Sequence, residues 1–175
     1  MRSKQALLSS LGVALVLALA APALAAGGND AYGFNARNVS GFPTGAVSLT
    51  GGGAFNPDTG FVDSAGGFRC TADVGQGPLA GCLAGQGVRW DTAELLASTR
   101  FKCTGAPSEA AKTAVTGQGT VVLLSDFYRA GDGTDESFTG QMIVSAADIA
   151  PDIAGTQNVW VQGVGCGSAV VSFNP

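Results

Sequence analysis

Hydrophobic and polar residues alternate over much of this 175-residue chain, which is the pattern of β-strands with one buried face. The alternation covers residues 46–55 and resumes over 61–71. Between the two segments stands Asn56-Pro57-Asp58-Thr59-Gly60, where proline pre-sets a turn and glycine accepts a positive φ. The sequence therefore predicts a β-hairpin here.

A second hairpin is predicted further along the chain. Residues 120–129 are rich in Val, Leu, Phe and Tyr, residues 137–145 alternate, and the loop 130–136 joins them. Residues 158–163 and 169–173 are predicted to form a last hairpin around Cys166. Successive hairpins indicate an all-β antiparallel fold, either a β-sandwich or an up-and-down barrel built from hairpins.

One or two short helices are predicted within this β framework. Asp91-Thr92-Ala93-Glu94 matches a capping box ahead of two leucines, which favours a short helix there. The competing interpretation is a bent pair of strands over residues 88–103. A further helical turn is predicted from Lys112, and residues 148–155 are predicted to form a turn or a short helix.

Residues 1–25 have the features of a cleavable signal peptide. A positive start precedes an apolar run over about 6–20, and Ala23 and Ala25 supply small side chains before a cut at Ala26. The run is shorter than a membrane span and is followed by Pro22. We therefore expect a secreted or periplasmic protein with no membrane insertion after cleavage. Residues 26–45 are predicted to form a polar arm or edge strand, and residues 46–175 a disulfide-bearing β domain.

The four cysteines, Cys70, Cys82, Cys103 and Cys166, all follow this export signal. An even number in an oxidising compartment predicts two disulfides, and four cysteines allow three pairings. We favour Cys70 with Cys82 and Cys103 with Cys166, without excluding the other two pairings. Two of the cysteines stand in a repeated Phe-basic-Cys-Thr sequence, which predicts strands whose Phe and Cys point inward together.

The composition narrows the classes of function. The chain has 9 Lys and Arg against 13 Asp and Glu, and an acidic chain without a basic run argues against nucleic acid as a partner. Because the sequence has no histidine and its cysteines are expected to be paired, Ser-His-Asp and Cys-His catalysis are excluded. We therefore expect no enzymatic activity. The remaining catalytic alternative is a carboxylate-dependent hydrolase using acids such as Asp91, Glu94, Asp126 or Glu136.

Two groups of residues are candidate binding sites. Asp132, Asp135 and Glu136 form the densest acidic cluster, and three carboxylates in a glycine-containing loop suit Ca²⁺, although the spacing is not that of an EF-hand. The alternative is a solvated hairpin tip whose acids deter edge-to-edge association. No other cofactor is expected. The second group comprises Trp90, Trp160, Tyr32 and Tyr128, which either line a ligand cavity or serve as ordinary packing.

Several stretches resemble a family of small secreted bacterial proteins with no assigned function. They are GGFRCTADVGQGPLAGC, GVRWDTAELL, RFKCTG, FYRAGDGTDESFTGQMIV and NVWVQGVGCG, and together they span most of the chain after the signal. The resemblance implies a bacterial origin and transfers no site residues. The function expected from the sequence is binding of a small apolar molecule or a surface partner. The alternative is a structural or envelope-associated protein.

Overall fold

The computed structural model describes residues 28–131 and 135–174, and over these ranges the chain is all-β. The strands are β1 (Asp30–Gly41), β2 (Ala46–Asn56), β3 (Phe61–Ala72), β4 (Arg89–Leu96), β5 (Ser98–Phe101), β6 (Lys112–Val115), β7 (Thr120–Tyr128), β8 (Phe138–Ser145), β9 (Val159–Val161) and β10 (Gly165–Asn174). The predicted all-β class is confirmed, as are the hairpins that the turn at 56–60 and the loop at 130–136 indicated.

Eight of the strands close into a barrel in the order β1-β10-β9-β8-β7-β4-β3-β2, and every pairing is antiparallel. Neighbours in the barrel are also neighbours in sequence, with two exceptions: the β5–β6 hairpin is inserted between β4 and β7, and the first and last strands, β1 and β10, pair to close the barrel. Of the two architectures that the sequence left open, the structure is therefore the up-and-down barrel.

The predicted helices are absent from the described residues. The segment with the capping-box sequence is strand β4, and Lys112 begins strand β6. Local sequence favoured a helix, but pairing of β4 with β7 satisfies the same backbone groups in a sheet. The alternative prediction, a bent pair of strands over residues 88–103, matches β4 and β5. No helix of the described segments is long and apolar enough to cross a membrane.

The N-terminal region differs from its prediction in one respect. Residues 26–45 were expected to form an arm or an edge strand, but β1 has hydrogen-bonded neighbours on both sides, β2 and β10. Closure of the barrel removes edges of this kind, and closure is a long-range property that the local pattern does not encode. The predicted signal peptide, residues 1–25, lies outside the described residues.

Two hydrophobic cores lie on opposite sides of one wall of the barrel. The larger fills the interior, and the smaller lies outside, between strands β7 to β9 and the β5–β6 hairpin. Strand β7 serves both, because Val121 and Leu123 point inward while Val122 packs in the outer core. We call the outer core, the β5–β6 hairpin and the loops 102–111 and 146–158 the outer layer.

The structure contains the disulfides Cys70–Cys82 and Cys103–Cys166. Both Phe-basic-Cys-Thr segments bury their Phe and Cys, as predicted, but on different sides of the wall. Phe68 and Cys70 belong to the barrel interior, whereas Phe101 and Cys103 belong to the outer core. The Cys103–Cys166 bridge therefore ties the outer layer to the beginning of β10.

A half-buried carboxylate organises the outer layer. Glu109 accepts hydrogen bonds from the backbone N–H groups of Cys103 and Thr104 at 2.7 and 2.8 Å, and its Oε1 lies 3.1 Å from Lys112 Nζ. Lys112 also pairs with Asp152 of the loop 146–158 at 3.1 Å. Burial alone would raise the pKa of Glu109, but these hydrogen bonds outweigh burial and lower it to about 2.

Candidate functional site

One end of the barrel is closed by the loop 73–88, which we call the closing loop. It leaves the end of β3, carries the disulfide to Cys70, and buries Val74 and Leu79 completely in the barrel core. The side-chain amide of Gln76 donates hydrogen bonds to the carbonyls of Thr44 and Gly163 at 2.6 and 2.7 Å. The closing loop is thus fixed to both neighbouring turns at this end, which we call the closed end.

The opposite end of the barrel lacks such a cover among the described residues. Strands β1 and β3 begin there, and β2, β4 and β10 end there. Five inward-facing apolar residues pack against the interior core yet stay partly exposed: Val62, Leu95 and Phe173 lie at this open end, and Val171 and Ala169 follow from Phe173 along β10, in the rows of Phe34 and Ala36. Because inward-facing residues in the rest of the core are buried, these five side chains form an apolar mouth.

The side chains of the mouth are partly exposed because strand pairing is short on two sides of the barrel, between β3 and β4 and between β9 and β10. The β3–β4 ladder covers only Ala65–Gly67 against Arg89–Asp91, and β9 is three residues long. Beyond β9, the side chain of Asn158 bonds the backbone N–H and carbonyl of Ala169, and the rest of β10 continues along β1. At the open end, β10 and β3 therefore pair as strands only with β1 and β2, and side-chain hydrogen bonds join them to Asn158 and to Thr92 of β4.

An aromatic cluster covers the inner side of β10, β1 and β2. The ring of Tyr32 stacks on Phe173 with centroids 5.7 Å apart and meets Phe55 edge-on at 5.9 Å. Deeper in the barrel, Phe34 lies 6.4 Å from Tyr32 and 5.9 Å from Trp90. Aromatic surface therefore runs from the partly exposed Phe173 at the rim to the fully buried Trp90.

Glycines make room for Trp90 at the base of this cluster. A Cβ atom at Gly51 would lie 2.6 Å from the Trp90 ring and 3.0 Å from Gly66, so neither strand has space for a side chain at this crossing. The indole N–H of Trp90 donates to the carbonyl of Thr50 at 3.1 Å. The glycine-rich segments of β2 and β3 thus serve the close approach of a large ring, as glycines inside strands often do.

Four hydroxyl side chains follow one row across the interior, and we call them the hydroxyl row: Tyr32, Ser64, Thr92 and Ser125. Ser64 Oγ and Thr92 Oγ1 are 2.5 Å apart and hydrogen-bonded. The hydroxyls of Tyr32 and Ser125 are buried and have no hydrogen-bond partner among the described residues. Buried polar atoms are nearly always paired, so two unpaired hydroxyls in one row distinguish this part of the interior.

The Tyr32 phenol lies in an environment that opposes charge. Its strand partner is Gly53, and the phenol extends across this glycine toward Ser64 on β3. Burial raises the pKa of Tyr32 to about 12, and the Ser64 hydroxyl offsets only part of that rise. The Ser64 hydroxyl is thus the polar group near the Tyr32 hydroxyl; it is hydrogen-bonded to Thr92, and its position relative to Tyr32 does not meet hydrogen-bond geometry.

The four aromatic residues proposed from the sequence do not form one site. Tyr32 and Trp90 share the barrel interior, with Phe34 between them. Trp160 packs in the outer core, where its indole donates to the carbonyl of Lys102 at 2.8 Å. Tyr128 lies on the outside of β7, under the guanidinium of Arg89 at 3.7 Å.

The acidic cluster proposed for Ca²⁺ is only partly described. Asp132 lies outside the described residues, and Asp135 and Glu136 are exposed. Within 28–131 and 135–174, no three His, Cys, Asp or Glu residues are grouped so as to hold a metal ion.

Two of the acids considered for hydrolysis are neighbours. Asp91 and Asp126 are directly paired across β4 and β7, with both side chains on the outside of the barrel. Asp91 accepts from Arg89 at 2.5 Å and from the Tyr128 hydroxyl at 3.2 Å, and Asp126 accepts from Thr139 at 2.6 Å. Glu94 and Glu136 are exposed elsewhere. The two paired carboxylates are thus bound to wall side chains and lie away from the mouth.

The mouth residues themselves were not singled out from the sequence. The alternation of Ala169, Val171 and Phe173 was a usable signal for a strand with one apolar face. It did not show that this face is left partly exposed, because that depends on where β9 begins and on which end the closing loop covers.

Comparisons with protein-family models, curated proteins and solved structures find no match to this chain. The fold and the site together are an eight-stranded antiparallel barrel that is closed by a loop at one end and has partly exposed apolar side chains at the other.

Proposed function

We propose that this protein is an exported, non-catalytic binding protein that takes up a small, mainly apolar molecule through the open end of its barrel. The observation that carries the proposal is the position of the partly exposed core residues, which lie at that end and along the adjoining part of β10. Exposed apolar side chains that face inward at a mouth are suited to contact with a ligand, and eight-stranded barrels are wide enough to hold one small molecule.

Export is supported by two features of the chain. The two disulfides are typical of proteins in oxidising compartments outside the cytoplasm. The signal-peptide pattern of residues 1–25 agrees with that environment. Mass spectrometry of the exported protein should give a chain that begins at Ala26, and an uncleaved chain would contradict this part of the proposal.

A binding role without chemistry is favoured by the kinds of polar residue that the fold buries. The buried polar residues of the described ranges are Asn56, Ser64, Thr99, Ser125, Ser145 and Asn158, which carry amides and hydroxyls. General acid–base catalysis needs a titratable group positioned near the ligand, and the carboxylates Asp91 and Asp126 are on the outer surface.

The structural or envelope-associated alternative would be favoured by one broad apolar face. The large hydrophobic residues that are exposed lie on separate parts of the fold: Phe61 begins β3, Leu83 and Val88 belong to the closing loop, Val115 ends β6 and Val170 is on β10. Single exposed hydrophobic residues of this kind are ordinary on protein surfaces. The mouth is therefore the better candidate for contact.

Two adjacent valines provide a matched test of the mouth. Val171 faces the mouth, whereas Val170 points outward and is 81% exposed. The purified protein should increase the fluorescence of N-phenylnaphthylamine, a dye that emits strongly in apolar surroundings. Val171→Asp should weaken dye binding at least roughly tenfold, because the carboxylate would lose hydration beside the bound dye.

Val170→Asp is the control and should leave dye binding unchanged, since it adds the same charge to the same strand on the outer face. Circular dichroism of both variants checks that each retains the β fold. Equal dye binding by both variants, or no dye binding by the parent protein, would contradict the proposed function.

A further inference from the structure

The hydroxyl row gives the mouth a chemical preference. This inference rests on the proposed function, because it concerns the ligand of the same site. The row lies next to the mouth: Tyr32 belongs to the aromatic cluster, and Ser64 and Thr92 lie where the β3–β4 ladder ends. Because Phe173 pairs with Tyr32 and Leu95 follows Thr92 on β4, the hydroxyl row adjoins the apolar side chains of the mouth.

The unpaired hydroxyls indicate what such a ligand must supply. The Tyr32 phenol is 5% exposed and Ser125 is fully buried, yet neither hydroxyl has a partner among the described residues. A buried hydroxyl that donates no hydrogen bond loses the solvation it has in water, which destabilises the protein until a partner is supplied. A hydroxyl without a partner has an unused proton to donate as well as acceptor lone pairs, and a hydrogen-bond acceptor on the ligand would take up that proton.

The surroundings of Tyr32 restrict the acceptor further. No Asp, Glu, Lys or Arg is among the buried residues of the described ranges, so an ionic group of a ligand would find no counter-charge in the interior. The rings of Tyr32, Phe55 and Phe173 pack with both stacked and edge-on contacts, and such an arrangement suits another flat ring.

We infer that the ligand of the open end is an uncharged, flat aromatic molecule with a carbonyl-type oxygen that accepts a hydrogen bond from the Tyr32 hydroxyl. The apolar rim supplies affinity for any compact hydrocarbon. The phenol supplies selectivity, because a site that hydrogen-bonds a ligand oxygen discriminates against the analogue that lacks it.

A pair of probes with the same shape separates these two contributions. Methyl naphthyl ketone and ethylnaphthalene, substituted at the same ring position, differ by one carbonyl oxygen in place of two hydrogens. Equilibrium dialysis against the purified protein gives a Kd for each probe. Tyr32→Phe removes the donor and keeps the ring, so it should weaken ketone binding roughly 3- to 10-fold and change ethylnaphthalene binding less than about twofold.

Tyr128→Phe is the matched control, because it removes the hydroxyl of an outward-facing tyrosine that bonds Asp91. It should change neither Kd. The infrared carbonyl stretch of the bound ketone gives a direct second measurement. It should lie at lower wavenumber in the parent protein than in a hydrocarbon solvent, and Tyr32→Phe should move it back toward the solvent value.

The possible results separate the two proposals. If both probes bind but Tyr32→Phe affects them equally, or the carbonyl stretch does not respond to the substitution, the inference about the ligand is wrong and the binding function stands. If neither probe binds to the parent protein, the proposed function itself fails.

Discussion

The two ends of the barrel are built from the same kinds of residue but are finished differently. At the closed end, the closing loop buries Val74, Leu79 and a disulfide and is hydrogen-bonded to both neighbouring turns. At the open end, apolar side chains from β3, β4 and β10 face inward without being fully covered. The same barrel thus has a packed core at its closed end and partly exposed apolar side chains at its open end.

Under the proposed function, the closed end provides stability and the open end provides ligand binding. Completely buried side chains contribute their full transfer free energy, and half-exposed ones contribute much less. We therefore expect substitutions at the closed end to change the free energy of unfolding and substitutions at the open end to change ligand affinity. The following predictions test that division.

The largest contrast is expected between two leucines. Leu79→Ala removes a fully buried side chain of the closing loop and should lower the free energy of unfolding by roughly 3 kcal/mol. Leu95→Ala removes a partly exposed side chain of the mouth and should lower it by about 1 kcal/mol. Urea denaturation measures both values. Equal losses would show that the open end is packed as tightly as the closed end.

The disulfide of the closing loop should have an effect of similar size. Replacing Cys70 and Cys82 together by alanine opens a loop closed over a sequence separation of 12 residues, for which loop entropy gives roughly 3 kcal/mol. Hydrogen exchange should become faster in residues 73–88 but not in the second half of β10. An equal increase in β10 would mean that the two ends open together and do not behave separately.

The closed end is also held from outside by Glu109, and this support should depend on pH. The bonded residue Cys103 lies against Gly41 and Gly165, where β1 ends and β10 begins. The pKa of Glu109 in the folded protein is about 2, below its ordinary value of 4.5, so its contribution is complete above pH 4.5 and is lost as the pH falls toward 2.

Glu109→Gln should therefore lower the free energy of unfolding by roughly 2 kcal/mol at pH 7 and flatten the acid limb of the stability profile. Asp135→Asn is a suitable control, since Asp135 is an exposed residue of the loop between β7 and β8. A parallel profile for the parent and Glu109→Gln proteins between pH 5 and 2 would contradict this role of the carboxylate.

The smallest predicted effect is an increase in the free energy of unfolding, in contrast to the losses above. Tyr32→Phe and Ser125→Ala each remove a buried hydroxyl that has no partner, so each should raise the free energy of unfolding by up to about 1 kcal/mol. Tyr128→Phe removes a hydroxyl bonded to Asp91 and should lower it by about 0.5 to 1 kcal/mol. A loss on removing the Tyr32 hydroxyl would show that it is already satisfied inside the protein.

Features that depend on neighbouring residues were predictable from the sequence. The turn at 56–60 gave the β2–β3 hairpin, and the alternation around 130–136 gave β7 and β8. Strand β4 was harder to predict, because the local sequence of Asp91, Thr92 and Glu94 fits the N-terminus of a helix. In the barrel, Asp91 instead bonds Arg89 and Tyr128 across the outer wall, and Thr92 bonds Ser64 inside.

The candidate site could not be derived from the sequence because it depends on long-range arrangement. The mouth is formed by strands far apart in sequence, such as β3 and β10. Tyr32 could be named as a cavity residue from its type, but its role depends on Gly53 and Ser64, which only the strand register places beside it. The lack of a partner for its hydroxyl is likewise visible only in three dimensions.

The direction of the first and last strands has a practical consequence. Strand β1 starts and strand β10 finishes beside the mouth, where Ala31 pairs with Asn174. A purification tag or reporter joined just before β1 or just after β10 would therefore be attached next to the mouth, and immobilising the protein through such a tag would turn the mouth toward the support. Attachment through the closing loop, at the exposed Leu83, would leave the mouth facing solution.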